Sequence, residues 1–216
     1  QPRPNPFNIR MNTSFPKVSI ILVQYNQQGL TKACLDSLSR ISYPNYEIYV
    51  VDNGSTELPT EQIRHDSRIH WITSPMNLGF AGGNNLALQQ ITEGHVLLLN
   101  NDTEVPAGFL EPLVDTLNRH PEAGIVSPKI KYFNSNDSIQ YAGTGDIHPF
   151  TCRGMTRGYG QKDEGQWDEE VPTGLAHGAC MLISRNLIDA IGGLYEGYFL
   201  YYEEYDFCLR AKQAGF

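Results

Sequence analysis

The chain has 216 residues, 40% of them apolar and 19% charged, which is enough for one large α/β core and unlike a fibrous or disordered chain. A formal net charge of -8, from 24 acidic against 16 basic residues, argues against nucleic acid as a partner. No apolar run reaches the roughly 18–20 residues that span a bilayer and no signal-peptide layout opens the chain, so a cytoplasmic protein without a transmembrane segment is expected.

Residues 1–16 hold four prolines and little periodicity. They read as a poorly ordered leader, with Met11 a candidate start, ahead of one domain over 17–216. Val18 to Val23 is a continuous β-branched run, the pattern of a strand buried on both faces. After Tyr25 and Asn26, apolar residues at Leu30, Cys34, Leu35 and Leu38 recur at helical spacing up to Tyr43-Pro44. Strands follow at Glu47–Val51, Ile69–Thr73 and Val96–Leu99, with a glycine-opened helix over Gly79–Gln90.

The order reads β-α-β-α-β-α-β, an alternation that favours a mostly parallel sheet with helices on both faces and ligands at the strands' C-terminal ends. Pro106 suits the first turn of a further helix carried by Phe109, Leu110, Leu113, Val114 and Leu117, before a strand over Gly124–Pro128. From Lys131 to Pro172 the chain is rich in Gly, Asp, Asn and aromatics, and hairpins and loops are expected. Helical spacing returns at Leu187–Ile191 and Phe207–Ala214, where Gly215 suits a C-cap. The cysteines Cys34, Cys152, Cys180 and Cys208 show no C-x-x-C pair and are expected reduced and buried.

Four groups of residues carry candidate chemistry. Asn100-Asn101-Asp102 ends an apolar strand and offers the oxygen ligands a hard divalent cation takes together with substrate phosphates; alternatively Asp102 or Thr103 caps the next helix. Asp52, followed by Asn53, Gly54 and Ser55, either accepts hydrogen bonds from a ribose or base or closes an Asx turn. Asn77-Leu78-Gly79-Phe80-Ala81-Gly82-Gly83-Asn84-Asn85 opens a helix with three glycines, which gives free N–H groups for an anion or a tight packing turn. Glu203, Glu204 and Asp206 begin a helix beside the aromatic segment Tyr195–Tyr202, whose packing would raise a carboxyl pKa toward that of a general base. His177 lines the pocket or serves as a structural hydrogen-bonding residue. Neither H-E-x-x-H nor G-x-S-x-G occurs.

Taken in order, VSIILVQYN, VVDNGSTE, NLGFAGGNN, LLLNNDTEV, GACMLISR and FLYYEEYDFCLRAKQAG resemble the family 2 inverting glycosyltransferases of GT-A fold, above all their bacterial rhamnosyltransferase-like branch. The resemblance covers Lys17 to Phe216. It implies a nucleotide-sugar-binding half over 17–128 and an acceptor and catalytic-base half over 129–216, with a further strand and a histidine-bearing segment beyond. It also implies a nucleoside-diphosphate-sugar donor, with Asp52, Asn53, Tyr25 and Asn26 near the nucleotide. Asn77, Gly79, Gly82, Asn84, Asn101 and His177 are expected on the same donor.

Asp102 matches the last acid of the family's D-x-D motif, where Mg2+ or Mn2+ bridges the diphosphate, and Asn100 stands at the first. Glu204 takes the place of the second acid of E-D-x-D, the general base, with Glu203 and Asp206 as its alternatives. The implied acceptor is a glycan or a lipid-linked sugar, which would bring the protein peripherally to the inner face of the plasma membrane. Two rival readings are a sugar-1-phosphate nucleotidyltransferase, whose early Gly-rich loop with Arg and Lys is replaced here by Gln24-Tyr25-Asn26-Gln27-Gln28, and a non-catalytic sugar-nucleotide-binding module.

Overall fold

The structure, a computed structural model, describes residues 15–56, 66–145 and 154–216. In chain order the elements are β1 (Val18–Gln24), α1 (Gln28–Leu38), β2 (Tyr46–Asn53), β3 (Ile69–Ser74), α2 (Gly79–Leu88), β4 (His95–Leu99), α3 (Leu110–Arg119), β5 (Ile125–Val126), β6 (Ile130–Lys131), β7 (Ile139–Tyr141), β8 (Cys180–Ile183), α4 (Arg185–Ile191) and α5 (Glu203–Gln213). The stretch between β2 and β3, where the alternation implied a helix, falls partly outside the described residues, as do most of the leader and Cys152.

Six strands form one sheet in the order β3-β2-β1-β4-β8-β5. β1 pairs in parallel with β2 and β4, and β2 with β3. β8 then enters antiparallel between β4 and β5. This is a mostly parallel sheet flanked by helices, and the antiparallel insertion is the feature the sequence pattern did not reveal. The irregular half carries the small antiparallel pair β6-β7, tied down by Lys129 against Asp163 at 2.7 Å and by the Tyr141 hydroxyl donating to the Leu175 carbonyl at 2.6 Å.

Side chains alternate across a strand with period two, so β1 supplies two cores. Ile20 and Leu22, with Ile48, Val50, Leu97 and Leu99, pack against Cys34, Leu35 and Leu38 of α1 and Leu110, Leu113, Val114 and Leu117 of α3. Ile21, with Val51, Val96, Leu98, Met181 and Ile183, packs against Ala81 and Ala87 of α2, Leu187 and Ile188 of α4 and Phe207 of α5. Leu97 is fully buried in the central strand β4. Leu97→Ala is therefore expected to lower stability by about 2–5 kcal/mol, read from urea unfolding.

Two boundaries differ from the sequence pattern. The helix expected from Pro106 begins at Leu110; the Pro106 carbonyl instead accepts the Phe109 N–H at 3.2 Å in a turn. Pro112 is the proline of the first helical turn, where a missing N–H costs no helical bond. Phe15 and Pro16, placed in the leader by composition, dock on the fold: the Phe15 ring meets Tyr43 edge-on at 5.4 Å, and the Tyr43 hydroxyl donates to the Pro16 carbonyl at 2.6 Å. Gly215, at φ 93°, follows the α5 C-cap Ala214 in a left-handed conformation that suits glycine.

Candidate active site

Because β1, β2 and β4 are parallel, their C-terminal ends share one edge of the sheet. Gln24 stands beside Asp52 in register, and β4 ends at Leu99, so Asn100 to Asp102 continue from the same edge. β8 runs the other way, so its first residue, Cys180, lies opposite Leu99. The Ala179 carbonyl accepts the Asn100 N–H at 2.9 Å, and His177 and Gly178 are thereby brought to that edge. Helix α5 then sets Glu204 beside Gly178, where an added Cβ would lie 3.9 Å from the Glu204 carboxyl carbon. The topology thus gathers residues that lie far apart in the chain.

Asp52 is 2% exposed, and its Oδ1 accepts the Ser55 N–H at 3.2 Å, so the Asx turn is formed. The Tyr25-Asn26 loop is sewn to the same turn. The Asn26 N–H donates to Ser55 Oγ at 2.9 Å, and Asn26 Oδ1 accepts the Thr56 N–H at 2.9 Å. Asn26, at φ 55°, holds a left-handed conformation that asparagine tolerates. Tyr25 stays exposed at the rim. Gln24 entered the sequence reading only as part of the segment that replaces a Gly-rich loop, yet its buried amide Nε2 has no partner beside Asp52; a polar residue ending an apolar strand is the signal that marks it.

At the glycine-opened entrance of α2 the tight packing turn is formed. Three of the free N–H groups expected there are taken: Asn53 Oδ1 accepts that of Leu78 at 3.0 Å, Asn77 Oδ1 that of Gly79 at 2.9 Å, and the Phe199 carbonyl that of Phe80 at 2.8 Å. Asn53 Nδ2 also donates to Asn77 Oδ1 and the Gly79 carbonyl, and buried Asn84 donates to the Phe80 carbonyl. The glycines serve close approach. A Cβ at Gly79 would meet the Phe199 carbonyl oxygen at 2.0 Å, one at Gly82 the Leu78 Cβ at 2.7 Å, and one at Gly83 the Val23 Cγ1 at 2.7 Å.

At the end of β4, Asn101 Nδ2 donates to Thr31 Oγ1 of α1 at 3.0 Å, while Asp102 is exposed. Neither Asp102 nor Thr103 caps α3, whose N-cap is Phe109 without a side-chain cap bond. Among the described residues no three His, Cys, Asp or Glu side chains form a metal cage. One carboxylate with neighbouring amides is a hard oxygen set, and it fits a cation held largely through a ligand's own phosphates. Burial, with the charges of Asp102 and Glu104 nearby, pushes the Cys34 thiol up to about 12. Burial likewise pushes Cys180 up to about 12 and Cys208 up to about 11. All three described cysteines are free thiols.

A cleft of about 1730 Å³ opens beside Asn100 and Asp102 and continues along His177, Tyr141 and Cys208. Tyr25, Asp52, Glu203 and Glu204 are outside its lining, so Asn100 and Asp102 stand where the sheet edge meets the hollow of the irregular half. His177 Nδ1 accepts the Ala179 N–H at 3.1 Å. Its proton therefore sits on Nε2, and burial holds the ring below the usual histidine range.

The acids at the start of α5 divide into two kinds. Asp206 is committed to an ion pair with Arg210 Nε at 2.7 Å. Glu203, 5% exposed, and Glu204 each keep a buried Oε2 without a partner. Burial raises both carboxyls above the usual range, and the neighbouring Glu204 charge adds to the rise at Glu203. Tyr201 and Tyr202 lead into the helix at φ 70° and 71°, a left-handed conformation costing about 1–2 kcal/mol per residue for side chains larger than glycine.

A family model described as "Glycosyl transferase family 2" matches residues 19–192. The chain belongs to glycosyl transferase family 2. It is 32% identical over 208 residues to the low-salt glycan biosynthesis hexosyltransferase Agl10 of Haloferax volcanii, covering 93% of this chain and 63% of that protein. It is 27% identical over 218 residues to the N-acetylglucosaminyl-diphospho-decaprenol L-rhamnosyltransferase of Mycobacterium tuberculosis, with 91% and 70% covered.

Among solved structures, the mannosyltransferase PcManGT from Pyrobaculum calidifontis, in complex with GDP-Man and Mn2+, superposes with a TM-score of 0.68 at 20% identity, covering 94% of this chain and 54% of that one. Staphylococcus aureus TarS in complex with UDP superposes with a TM-score of 0.63 at 21% identity, covering 92% and 55%. The fold is that of the GT-A members of the family. The chain spans less than two thirds of the length of the hexosyltransferase and of both structures.

Proposed function

We propose that this family 2 domain transfers a sugar from a nucleoside-diphosphate-sugar donor to a hydroxyl of a glycan or lipid-linked acceptor, with inversion, by a single displacement. The observation that carries this reading is the pair Glu203 and Glu204, each with a buried Oε2 that has no partner, Glu204 standing beside Gly178. A carboxylate of raised pKa, not neutralised by an ion pair, suits proton removal from a hydroxyl at neutral pH.

The donor's nucleoside would lie against Asp52 and the Tyr25-Asn26 loop and its diphosphate toward Asn100 and Asp102. A divalent cation there, Mg2+ or Mn2+, would supply neutralisation of the departing diphosphate. Glu204 takes the acceptor's hydroxyl proton as that oxygen bonds to the anomeric carbon; the bond from that carbon to the diphosphate oxygen breaks, and the electron pair leaves with the nucleoside diphosphate. The Nε2–H of His177 offers a neutral hydrogen-bond donor to a sugar or phosphate oxygen. The relatives support the substrate classes: GDP-Man and Mn2+ are bound in the Pyrobaculum calidifontis mannosyltransferase, and the Mycobacterium tuberculosis rhamnosyltransferase is one of N-acetylglucosaminyl-diphospho-decaprenol. Among the described residues no helix is long and apolar enough to cross a membrane, and a lipid-linked acceptor would be met peripherally, at the inner face of the plasma membrane.

The test is a panel of nucleoside-diphosphate sugars, including GDP-mannose and UDP-N-acetylglucosamine, offered with Mn2+ or Mg2+ and candidate acceptors. Release of nucleoside diphosphate and a product of inverted anomeric configuration, read by NMR, are expected. Pyrophosphate formation would replace the reading with nucleotidyl transfer, and donor binding without turnover would replace it with a binding module.

A further inference from the structure

The segment from Ile191 to Phe199 leads from α4 to the acidic helix α5, and little of its own burial holds it. Leu194 is buried, but Tyr195, Tyr198, Phe199 and Leu200 are exposed. Such a strap keeps its place through specific hydrogen bonds. Asn85 of α2 makes three of them: its Nδ2 donates to the Leu194 carbonyl and to Glu196 Oε1, each at 2.8 Å, and its Oδ1 accepts the Leu194 N–H at 3.0 Å. A Cβ at Gly193 would lie 2.4 Å from that same Oδ1.

From the other side Arg210 of α5 donates to the Ile191 and Gly193 carbonyls at 3.0 and 2.9 Å, and the Phe199 carbonyl closes the strap onto Phe80. Past Phe199 come the strained residues Tyr201 and Tyr202 and then Glu203. A displaced strap would release that strain by moving the first turn of α5.

We propose that Asn85 is a positioning residue for the reaction: by clasping the strap to α2, it fixes the first turn of α5 and hence Glu203 and Glu204. This rests on the reading of those acids given above. Asn85 touches the strap and not the acids themselves, so its loss should act on turnover rather than on donor binding.

Asn85→Ala and the near-isosteric Asn85→Asp are compared with the parent in the full chain. Asn85→Asp keeps an acceptor for the Leu194 N–H, loses the donor, and sets a charge against Glu196. For whichever donor of the panel is turned over, kcat should fall about 10- to 100-fold, the scale of a misplaced catalytic group. The dissociation constant of GDP or UDP should be unchanged, and the amides of 194–204 should exchange faster with deuterium. Adding Glu196→Gln to Asn85→Asp should recover part of kcat, a rescue that general loss of folding would not give.

Wild-type kcat in Asn85→Ala, unaltered exchange over 194–204, or nucleotide affinity falling as far as kcat would each overturn the proposal. Glu204→Gln in the same assay keeps the two readings apart. Turnover retained there removes Glu204 as the base, while exchange at the start of α5 still decides the role of Asn85.

Discussion

Glu204→Gln is expected to leave donor affinity nearly intact and to lower transfer by about 10²- to 10⁴-fold, the contribution of a positioned general base. The amide keeps the shape of the side chain but cannot take a proton. The same substitution should raise the melting temperature at pH 7. Burial holds the Glu204 carboxyl above its usual range, so the folded state binds this proton more tightly than the unfolded one does. The sign then follows: the group favours folding fully below the unfolded carboxyl pKa of about 4.3 and loses that contribution as pH rises through the folded value. At neutral pH the buried charge is a burden that glutamine removes.

For the parent, the acidic limb of kcat against pH should lie above that of an ordinary glutamate, because the base works only when ionised. Thermal unfolding at pH 4 and pH 7, beside a pH–rate profile, checks both claims. A Glu204→Gln protein with parental turnover and an unchanged melting temperature would sink them together.

The second large effect belongs to Asp102. Its side chain is the carboxylate of the Asn100-Asn101-Asp102 string, and Asn101 is already engaged with Thr31. Asp102→Asn should weaken Mn2+-dependent donor binding by at least the roughly 10- to 100-fold that even supporting residues contribute at metal sites. Binding measured by calorimetry in excess chelator should be the same for parent and variant, because no cation then separates them. If Glu204→Gln lost as much donor affinity as Asp102→Asn, the division between a diphosphate end and a base end would fail.

Much of the N-terminal half of the sheet was legible in the sequence for a simple reason. A strand buried on both faces is nearly continuous in apolar residues, so Val18 to Val23 and Val96 to Leu99 announced parallel strands, and turn residues marked where Asp52 and Asp102 leave the sheet. β8 was hidden because four apolar residues do not state their direction. What fixes it is the pairing of Leu99 with Cys180, far away in sequence.

The asparagines were ambiguous for a different reason. An amide both donates and accepts, so Asn53, Asn77 and Asn84 suit a ligand or a backbone equally well in sequence; here they hold the entrance of α2. Asn85 ended the same string without a role of its own, since its partners, Leu194 and Glu196, lie on a strap without periodicity.

The antiparallel entry of β8 also bears on how the chain is made. As synthesis proceeds from the N-terminus, β1 to β4 are complete long before Cys180–Ile183 emerges, so the outer edge of β4 and the whole of β5 wait without their partner. An open edge of Val96, Leu97, Leu98 and Leu99 is a template for pairing with another nascent chain. Ribosome-bound chains ending before residue 180 should therefore need chaperones, and the solubility of released fragments should rise sharply once residues 180–183 are included.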